Sequence, residues 1–282
     1  MIYLYIVLTV TLWASAFVGI RAGLADYQPL ELALFRYVVA SAIMGIIALI
    51  NGIRIPDRRD LFPILSAGLV GIAVYNVALN YGELTVMAGE ACFIINTAPL
   101  FTSLLAFVFL GENITPKFIV GLIISLLGVS LMALRFEEKT FLSHGSLIIL
   151  IAAVAHAAYF VIQRPLLRKY RPIEFTSYAI WSGTVSMLPF GLGFLERLNH
   201  ASLHSTISIV YLGIFPAAIA YLCWSFVLSK TTVSKASSFL YSVPVTTLVI
   251  GFFWLGEIPS GLSMAGGAIA IGGVAFANLK RY

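Results

Sequence analysis

Charged residues are scarce in this sequence. Its 282 residues include 17 Lys and Arg and 12 Asp and Glu, so only 10% are charged, whereas a soluble domain carries roughly a quarter. Hydrophobic residues make up 60% of the chain, and the mean hydropathy is +0.99. Too few polar side chains remain to cover the surface of a water-soluble globule, so such a fold is excluded and lipid is the expected surroundings.

Cysteine is also scarce. Cys92 and Cys223 are the two cysteines, and both lie within apolar runs, so neither a disulfide framework nor a zinc site is expected. His200 and His204 have the i, i+4 spacing of metal ligands, but no third ligand accompanies them in the sequence. The sequence therefore predicts no metal site and no cofactor.

The motifs of enzymes and ATP-driven pumps are missing as well. We find no HExxH, no Gly-x-Ser-x-Gly turn, no paired intramembrane carboxylates and no nucleotide-binding loop. The basic residues are scattered singly and form no face for nucleic acid. We therefore expect neither an enzyme nor a nucleic-acid-binding protein. A passive channel is disfavoured because no polar stripe runs along any one helix.

Long apolar runs fill the chain, and each is long enough to cross a bilayer as a helix. The first run lacks the basic start and the cleavage site of a signal peptide, so we expect it to be retained. The ten predicted spans are 2–22, 30–50, 62–81, 86–110, 116–135, 145–165, 173–195, 206–228, 233–255 and 260–279.

Lys and Arg are distributed unevenly between the loops that join these spans. If the amino terminus is cytoplasmic, about twelve of them fall on the cytoplasmic side and about four on the other side. Cytoplasmic loops of membrane proteins carry the excess of basic residues. We therefore expect both termini to be cytoplasmic in a multi-pass protein of the inner (plasma) membrane.

The two parts of the chain repeat each other at offsets of 143 and 145 residues. The repeated pairs are Pro29 and Pro172, Glu31 and Glu174, Pro99 and Pro244, and Glu112 and Glu257. Each repeat, 1–139 and 140–282, holds five spans, an odd number, so the second copy starts from the opposite side of the membrane. Inverted repeats of this kind are typical of secondary transporters with alternating access.

Four stretches carry a family pattern: LWASAFVGIRAGL at 12–24, ELALFRYVVA at 31–40, TAPLFTSLLAFVFLGENITPKFIVGLIISLLGVSLM at 97–132, and its echo SVPVTTLVIGFFWLGEIPSGLSMAGGAIAIGGVAFA at 242–277. In these stretches the chain resembles the EamA branch of the drug/metabolite transporter superfamily. The resemblance implies an all-α, ten-helix exporter-type carrier of the bacterial inner membrane, from a family that moves amino acids and other small metabolites. The aromatic interior is similar to amino-acid exporters of the YddG type. A flippase for lipids or lipid carriers, also known in the superfamily, is the alternative function.

Polar and aromatic residues recur on the spans that should surround a central cavity. Amides are costly in lipid, so they are expected to point inward. A pocket of this composition suits a small amphiphilic zwitterion as substrate. The predicted substrate-binding residues are Trp13, Phe17, Tyr75, Asn76, Asn80, Glu90, Asn96, His156, Tyr159, Gln163, Tyr221, Trp224 and Tyr241.

Two charged residues lie inside predicted spans. Glu90 lies about four residues into the fourth span, where an ionised group is costly, and it is either a substrate-amine site, a proton site or a structural residue. Arg36 lies about one and a half turns into the second span. It is expected to pair with Glu31 or to extend toward the headgroups, with a structural role or binding of a substrate carboxylate as the alternative.

Proline and glycine predict further features of the helices. Pro99 and Pro244 should kink their helices and free the carbonyls of Ile95 and Leu240, as hinges beside the cavity. Glu112 is expected to interact with the positive end of the helix that follows it. The glycine pairs at 121 and 128 and at 266 and 273 predict close helix packing, either within the chain or across a homodimer.

Overall fold

The computed structural model of the protein describes the backbone of residues 2–86, 88–133, 144–191, 193–255 and 261–278. Side chains are described over the same residues except 88–90, 132–133, 191, 248, 251–255 and 263. The predicted sites Glu90 and Glu257 fall outside the described side chains.

The described residues form helices and no β-strand. In chain order the helices are α1 (Ile2–Gly23), α2 (Pro29–Asn51), α3 (Arg58–Gly68), a π-helical segment (Leu69–Val74), α4 (Tyr75–Gly82), α5 (Ala88–Ile95), α6 (Ala98–Leu110), α7 (Pro116–Ala133), α8 (His144–Leu166), α9 (Pro172–Gly191), α10 (Phe194–Arg197), α11 (Leu203–Leu212), a second π-helical segment (Gly213–Ile219), α12 (Ala220–Lys230), α13 (Val233–Ser238), a 3₁₀ turn (Phe239–Ser242), α14 (Val243–Leu255) and α15 (Gly261–Asn278).

Six helical stretches in the described residues are long and apolar enough to cross a bilayer, with mean hydropathies of 1.8 to 2.2. They are Ile2–Gly23, Pro29–Asn51, Arg58–Gly82, Ala91–Leu110, His144–Leu166 and Leu203–Lys230. Large apolar side chains such as Leu49 (87% exposed) and Phe62 (80% exposed) point away from the protein interior. Exposed apolar helix faces of this extent are stable in lipid, so the protein is a multi-pass membrane protein.

The helices bring loops together at two ends of the bundle. At one end, the loop before α3 contacts the loop after α8, since Lys169 Nζ lies 2.6 Å from Asp57 Oδ2. At the other, the loop after α1 contacts the start of α11, since Ser202 Oγ donates to Asp26 Oδ2 at 2.6 Å. We call the first the inner end and the second the outer end, following the predicted cytoplasmic amino terminus.

Two π-helical segments interrupt membrane-crossing helices at corresponding places. Leu69–Val74 separates α3 from α4, and Gly213–Ile219 separates α11 from α12. Their first residues are 144 apart, between the two offsets at which the sequence repeats. A π-helical turn widens the helix and leaves irregular backbone hydrogen bonding, and it is often found at functional sites. No sequence pattern predicted either segment.

The two predicted hinge prolines stand at helix starts. Pro99 is in the first turn of α6, which begins directly after a turn at Asn96 and Thr97. Pro244 is in the first turn of α14, directly after the 3₁₀ turn. Proline is favoured in a first helical turn because its missing N–H has no partner to lose there. Each proline therefore lies at an interruption between two helices, instead of within one kinked helix.

The predicted glycine stripes pack α7 against α15 within the chain. A Cβ atom on Gly128 would lie 2.4 Å from the backbone nitrogen of Ala270, and one on Gly273 would lie 2.3 Å from Ser125 Oγ. Ser125 Oγ donates a hydrogen bond to the Ala270 carbonyl at 3.0 Å. Only residues without a side chain permit this approach, so these glycines join the first and last parts of the chain.

Candidate functional site

A cavity lies in the middle of the bundle and extends toward the outer end. It holds about 40 Å³ of space, which is small beside the roughly 300–1,000 Å³ of typical small-molecule pockets. The protein must therefore open further to accept a metabolite. The cavity is lined by Trp13, Ala16, Phe17, Ile20, Arg36, Tyr75, Leu79, Ile95, Asn96, His156, Tyr221, Leu240 and Val243.

Aromatic rings form one wall of this cavity. The His156 ring stacks on the Tyr75 ring with centroids 4.3 Å apart. The indole of Trp13 meets His156 at 5.3 Å and Tyr221 at 5.5 Å, both edge to face. Such pairs are rigid and apolar, with their polar atoms at the ring edges. The wall can therefore hold the apolar part of a ligand and offers few fixed hydrogen-bonding groups.

Arg36 brings a positive charge into the cavity. Its side chain is 3% exposed, and its Nη1 donates to Asn76 Oδ1 at 3.1 Å. Asn76 is held in turn by its Nδ2, which donates to the Tyr37 hydroxyl at 2.9 Å. The Nε of Arg36 has no hydrogen-bond partner in the described structure. Of the described lining residues, Arg36 alone carries a full charge.

The prediction that Arg36 pairs with Glu31 or reaches the headgroups was wrong. Glu31 accepts from the Gln28 backbone N–H at 2.9 Å and lies 3.4 Å from Arg197 Nε, so it caps its own helix at the outer end. Arg36 lies two turns deeper, about 10 Å along α2 from its start. At that depth the nearby Asn76 amide supplies the acceptor.

Other polar atoms of the cavity also lack partners. Both ring nitrogens of His156 are buried and accept or donate no hydrogen bond in the described structure. Buried polar atoms are almost always satisfied by protein, water or ligand. His156 and Arg36 therefore mark where water or a ligand would bind. Among the described residues, no three His, Cys, Asp or Glu side chains are grouped to hold a metal ion.

Six of the predicted substrate-binding residues line the cavity. They are Trp13, Phe17, Tyr75, Asn96, His156 and Tyr221. Ile95 and Leu240, whose carbonyls the prolines were expected to free, line it too. The interruptions before α6 and α14 therefore border the cavity, and the hinge role of the two prolines stays a prediction. Asn96 also bonds its own helix, since its Nδ2 donates to the Cys92 carbonyl at 2.7 Å.

The other predicted residues whose side chains the structure describes lie outside the lining. Asn76 holds Arg36, and Asn80 Nδ2 donates to the Pro29 carbonyl at 2.9 Å, which ties α4 to α2. Tyr159, Gln163 and Trp224 are completely buried on the inner side of the cavity, and Ser225 Oγ donates to Gln163 Oε1 at 3.3 Å. Tyr241 belongs to a separate apolar cluster with Leu122, Val129, Ala270 and Val274.

Glu83 is an acidic residue of the outer end that the sequence analysis missed. It is 6% exposed, and neither carboxyl oxygen has a hydrogen-bond partner in the described structure. Its backbone N–H donates to the carbonyl of Leu79, a lining residue one turn earlier. Burial raises the pKa of Glu83 from its ordinary value of 4.5 to about 8, against the opposing charges of Arg21 and Arg36. The available signal was its position eight residues after Tyr75, a predicted substrate-binding residue, which places both on one helix face.

The inner end is held by a network of charged residues. Lys169 Nζ contacts Asp57 and Asp60, and the Tyr170 hydroxyl donates to Asp60 Oδ2 at 2.6 Å. The same hydroxyl accepts from the Asp57 backbone N–H at 2.9 Å. The hydrogen bond from Lys169 lowers the pKa of the Asp57 carboxyl. This network joins the start of α3 to the loop between α8 and α9.

Glu112 adds a second tie at the inner end. Its carboxylate accepts from the backbone N–H groups of Val233 at 2.7 Å and Ser234 at 3.0 Å, and from Ser234 Oγ at 2.6 Å. The prediction placed Glu112 at the positive end of the following helix, α7. It caps α13 instead, because the folded chain brings that free helix start closer to the carboxylate.

Known proteins resemble this chain along its length. The model of the EamA-like transporter family matches residues 1–134 and 143–279. The uncharacterized transporter YdfC of Bacillus subtilis is 42% identical over 97% of this chain and 89% of its own length. The "probable terminal-alkyne amino-acid exporter" of Streptantibioticus cattleyicolor is 40% identical over 98% of this chain and 92% of its own.

A solved crystal structure shares the fold, with a TM-score of 0.78 at 19% identity over 98% of this chain and 95% of that one. Family matches of this extent, together with the helices described above, identify the kind of protein. The chain belongs to the EamA-like transporter family and is a membrane transporter, not an enzyme.

Proposed function

We propose that this transporter is a secondary carrier that exports amino acids or similarly small zwitterionic metabolites by alternating access. The buried guanidinium of Arg36, with its Nε unpartnered in an aromatic cavity, is the observation that carries the proposal. A guanidinium binds a carboxylate through two charge-assisted hydrogen bonds. The aromatic wall then receives the apolar remainder of the substrate.

The relative from Streptantibioticus cattleyicolor supports the substrate class. That protein is named an amino-acid exporter, and it aligns with nearly the whole of this chain. A free amino acid offers one carboxylate for Arg36, and its ammonium can bind the π-face of a cavity ring. Polyanions fit poorly because the described lining holds a single cationic side chain. A small zwitterion satisfies the cavity best.

The proposed architecture is two inverted halves, 1–139 and 140–282, with five membrane-crossing helices each. The sequence repeat, the two π-helical segments 144 residues apart and the two stretches matched by the family model support this division. The binding site would lie between the halves, as it does in other inverted-repeat carriers. The excess of basic residues supports cytoplasmic termini in the inner membrane.

The proposed binding residues are the predicted ones that line the cavity, together with Arg36. Asn76 acts through Arg36, because it holds the guanidinium in place. Pro99 and Pro244 are proposed hinges, since the helix interruptions beside them border the cavity. Glu90 stays a prediction as a site for a substrate amine or a proton.

Transport of labelled amino acids into proteoliposomes tests the proposal. Arg36→Met should lower transport at least about tenfold, the effect of leaving a bound carboxylate without its charged donors. Arg36→Lys should retain a fraction, because lysine keeps the charge but loses the planar pair of donors. Arg197→Gln is the matched control, since it removes an arginine that contacts Glu31 outside the cavity.

Two results would contradict the proposal. Unchanged transport by folded Arg36→Met would remove the guanidinium from the binding site. Movement of a fluorescent lipid between leaflets, with no transport of any amino acid in the panel, would favour the flippase alternative. Size-exclusion profiles of each purified variant separate loss of binding from loss of folding.

A further inference from the structure

Glu83 lies in line with the cavity at the outer end. Tyr75, Leu79 and Glu83 follow one another at intervals of four residues, so they occupy one face of the helix and its last turn. Tyr75 and Leu79 both line the cavity. The Glu83 carboxyl therefore lies one turn, about 6 Å along the helix axis, beyond the outer part of the cavity.

The carboxyl is enclosed and has no fixed partner. It is 6% exposed, and neither oxygen forms a hydrogen bond in the described structure. Ion-paired acids elsewhere in this protein, such as Asp57, are bonded directly to a cation. An ionised carboxylate without a hydrogen bond is very costly away from water. In the closed outer end described here, Glu83 is therefore stable in its protonated form.

The charges around Glu83 come from several helices. Among the described side chains, the ionisable groups within its electrostatic reach are Arg21 on α1, Arg36 on α2, Tyr75 on α4 and Cys92 on α5. On the side of α8, Gly145 and Ile149 pack against the neighbouring Gly82, and His144 is exposed. The two arginines favour the ionised form, but burial outweighs them.

We propose that the Glu83 carboxyl is the proton-binding site of the transport cycle, holding a proton while the outer end is closed over it and releasing that proton when water enters. The inference rests on the proposed alternating access, since it needs an end that opens and closes. The proton comes from the solution that reaches the carboxyl and returns to the solution that next reaches it. A cavity one turn away gives water a short path to it.

The direction in which pH shifts opening of the outer end follows from the pKa of Glu83 in the closed and the open state. The pKa is about 8 when Glu83 is enclosed and 4.5 when it is hydrated. Closing therefore takes up a proton between these values, so acid favours closing and alkali favours opening. The equilibrium should change by up to about tenfold per pH unit within that window. Below the lower value and above the higher one, it should no longer depend on pH.

Two measurements that need no substrate test this site. Infrared difference spectra between about pH 6 and pH 9 should contain a protonated-carboxyl band in the wild type that Glu83→Gln removes and Glu196→Gln keeps. The second measurement is the labelling rate of Ala16→Cys, in a Cys92→Ala and Cys223→Ala background, by a membrane-impermeant maleimide. Ala16 lines the cavity, so its labelling reports opening of the outer end.

The expected result is a labelling rate that rises with pH more steeply when Glu83 is present than in Glu83→Gln, by about tenfold between pH 6 and pH 8. Dividing the labelling rate of the protein with Glu83 by that of Glu83→Gln removes the pH dependence of the labelled thiol itself. Glu83→Asp should restore part of the slope. A carboxyl band that Glu83→Gln leaves unchanged, or equal slopes in both proteins, would overturn the proposal. Neither measurement depends on amino-acid transport, so failure of the proton site can be distinguished from failure of the proposed function.

Discussion

The two ends of the bundle are held in different ways. At the inner end, Lys169 pairs with two aspartates, and Glu112 caps α13 with three hydrogen bonds. At the outer end, Asp26 accepts from Ser202, while Glu83 is buried with no partner. The hydrogen bonds from Lys169 stabilise the Asp57 and Asp60 carboxyls in their ionised form, whereas burial stabilises the Glu83 carboxyl in its neutral form.

Side-chain packing also differs between the inner and the outer side of the cavity. On the inner side of the cavity, Tyr159 and Trp224 are completely buried, and π-helical Gly71 lies directly against Tyr159. On the outer side, the cavity extends to Ile20 and Leu79, near the ends of α1 and α4. The inner end is thus closed by a thicker layer of packed side chains. Because Glu83 lies at the outer end, we expect that end to be the more sensitive of the two to pH near neutrality.

The largest effect is expected for a methyl group added to the inner packing layer. A Cβ atom on Gly71 would lie 2.2 Å from ring atoms of Tyr159, so Gly71→Ala should destabilise the protein by about 1–3 kcal/mol. Gly45→Ala is the control, because nothing lies within 4 Å of its Cβ position. Thermal unfolding in detergent measures both. Equal melting temperatures of Gly71→Ala and Gly45→Ala would contradict the prediction and show that Tyr159 can move to accommodate the added methyl group.

A smaller effect is expected at the inner-end cap. Glu112→Ala removes the acceptor of the Val233 and Ser234 backbone N–H groups, so stability should fall by about 1–2 kcal/mol, as for other helix caps. The exposed Glu196 supplies the control variant, Glu196→Ala. Thermal unfolding again gives the comparison. If the two variants have the same melting temperature, the Glu112 cap contributes nothing to the stability of this end.

The smallest effect is expected for the exposed ion pairs. Lys169→Met should raise maleimide labelling of Leu166→Cys from the inner side about two- to fivefold, because exposed pairs are individually weak. Lys230→Met is the control, an exposed cation at the same end that stands over the Phe226 ring. Lys169 lowers the pKa of Asp57, so in the wild type this tie should weaken only as the pH falls below about 4. Labelling that already rises near pH 6 would contradict the role of the Lys169–Asp57 ion pair in holding the inner end.

The sequence predicted those parts of the fold that depend on composition and on strong local signals. Apolar runs gave the helices, and Pro99 and Pro244 marked the interruptions beside the cavity. Trp13, Tyr75 and His156 were predicted as cavity residues because they recur, together with amide side chains that are costly in lipid, on the spans expected to surround a cavity. These inferences need only the chemistry of each residue and its depth in a span.

Contacts between distant residues were beyond the sequence. Arg36 was expected to meet Glu31, five positions away, but its acceptor is Asn76 on another helix. Glu112 caps a helix 121 residues later. Glu83 lies between two predicted spans, and hydropathy does not show which loop charges the fold encloses. The π-helical segments carry no pattern of their own, since tertiary packing stabilises their irregular turns.

Each π-helical segment offers a backbone oxygen to an aromatic donor from the other part of the chain. Trp13 Nε1 donates to the Pro216 carbonyl at 3.2 Å, and the Tyr221 hydroxyl lies 3.5 Å from the Gly71 carbonyl. Both rings line the cavity. A ligand that displaces the indole frees a lone pair on the Pro216 oxygen at the same moment. Ligand binding would then break this contact between the two parts of the chain, and an N–H group of the ligand could replace the Trp13 indole as the donor to the Pro216 carbonyl.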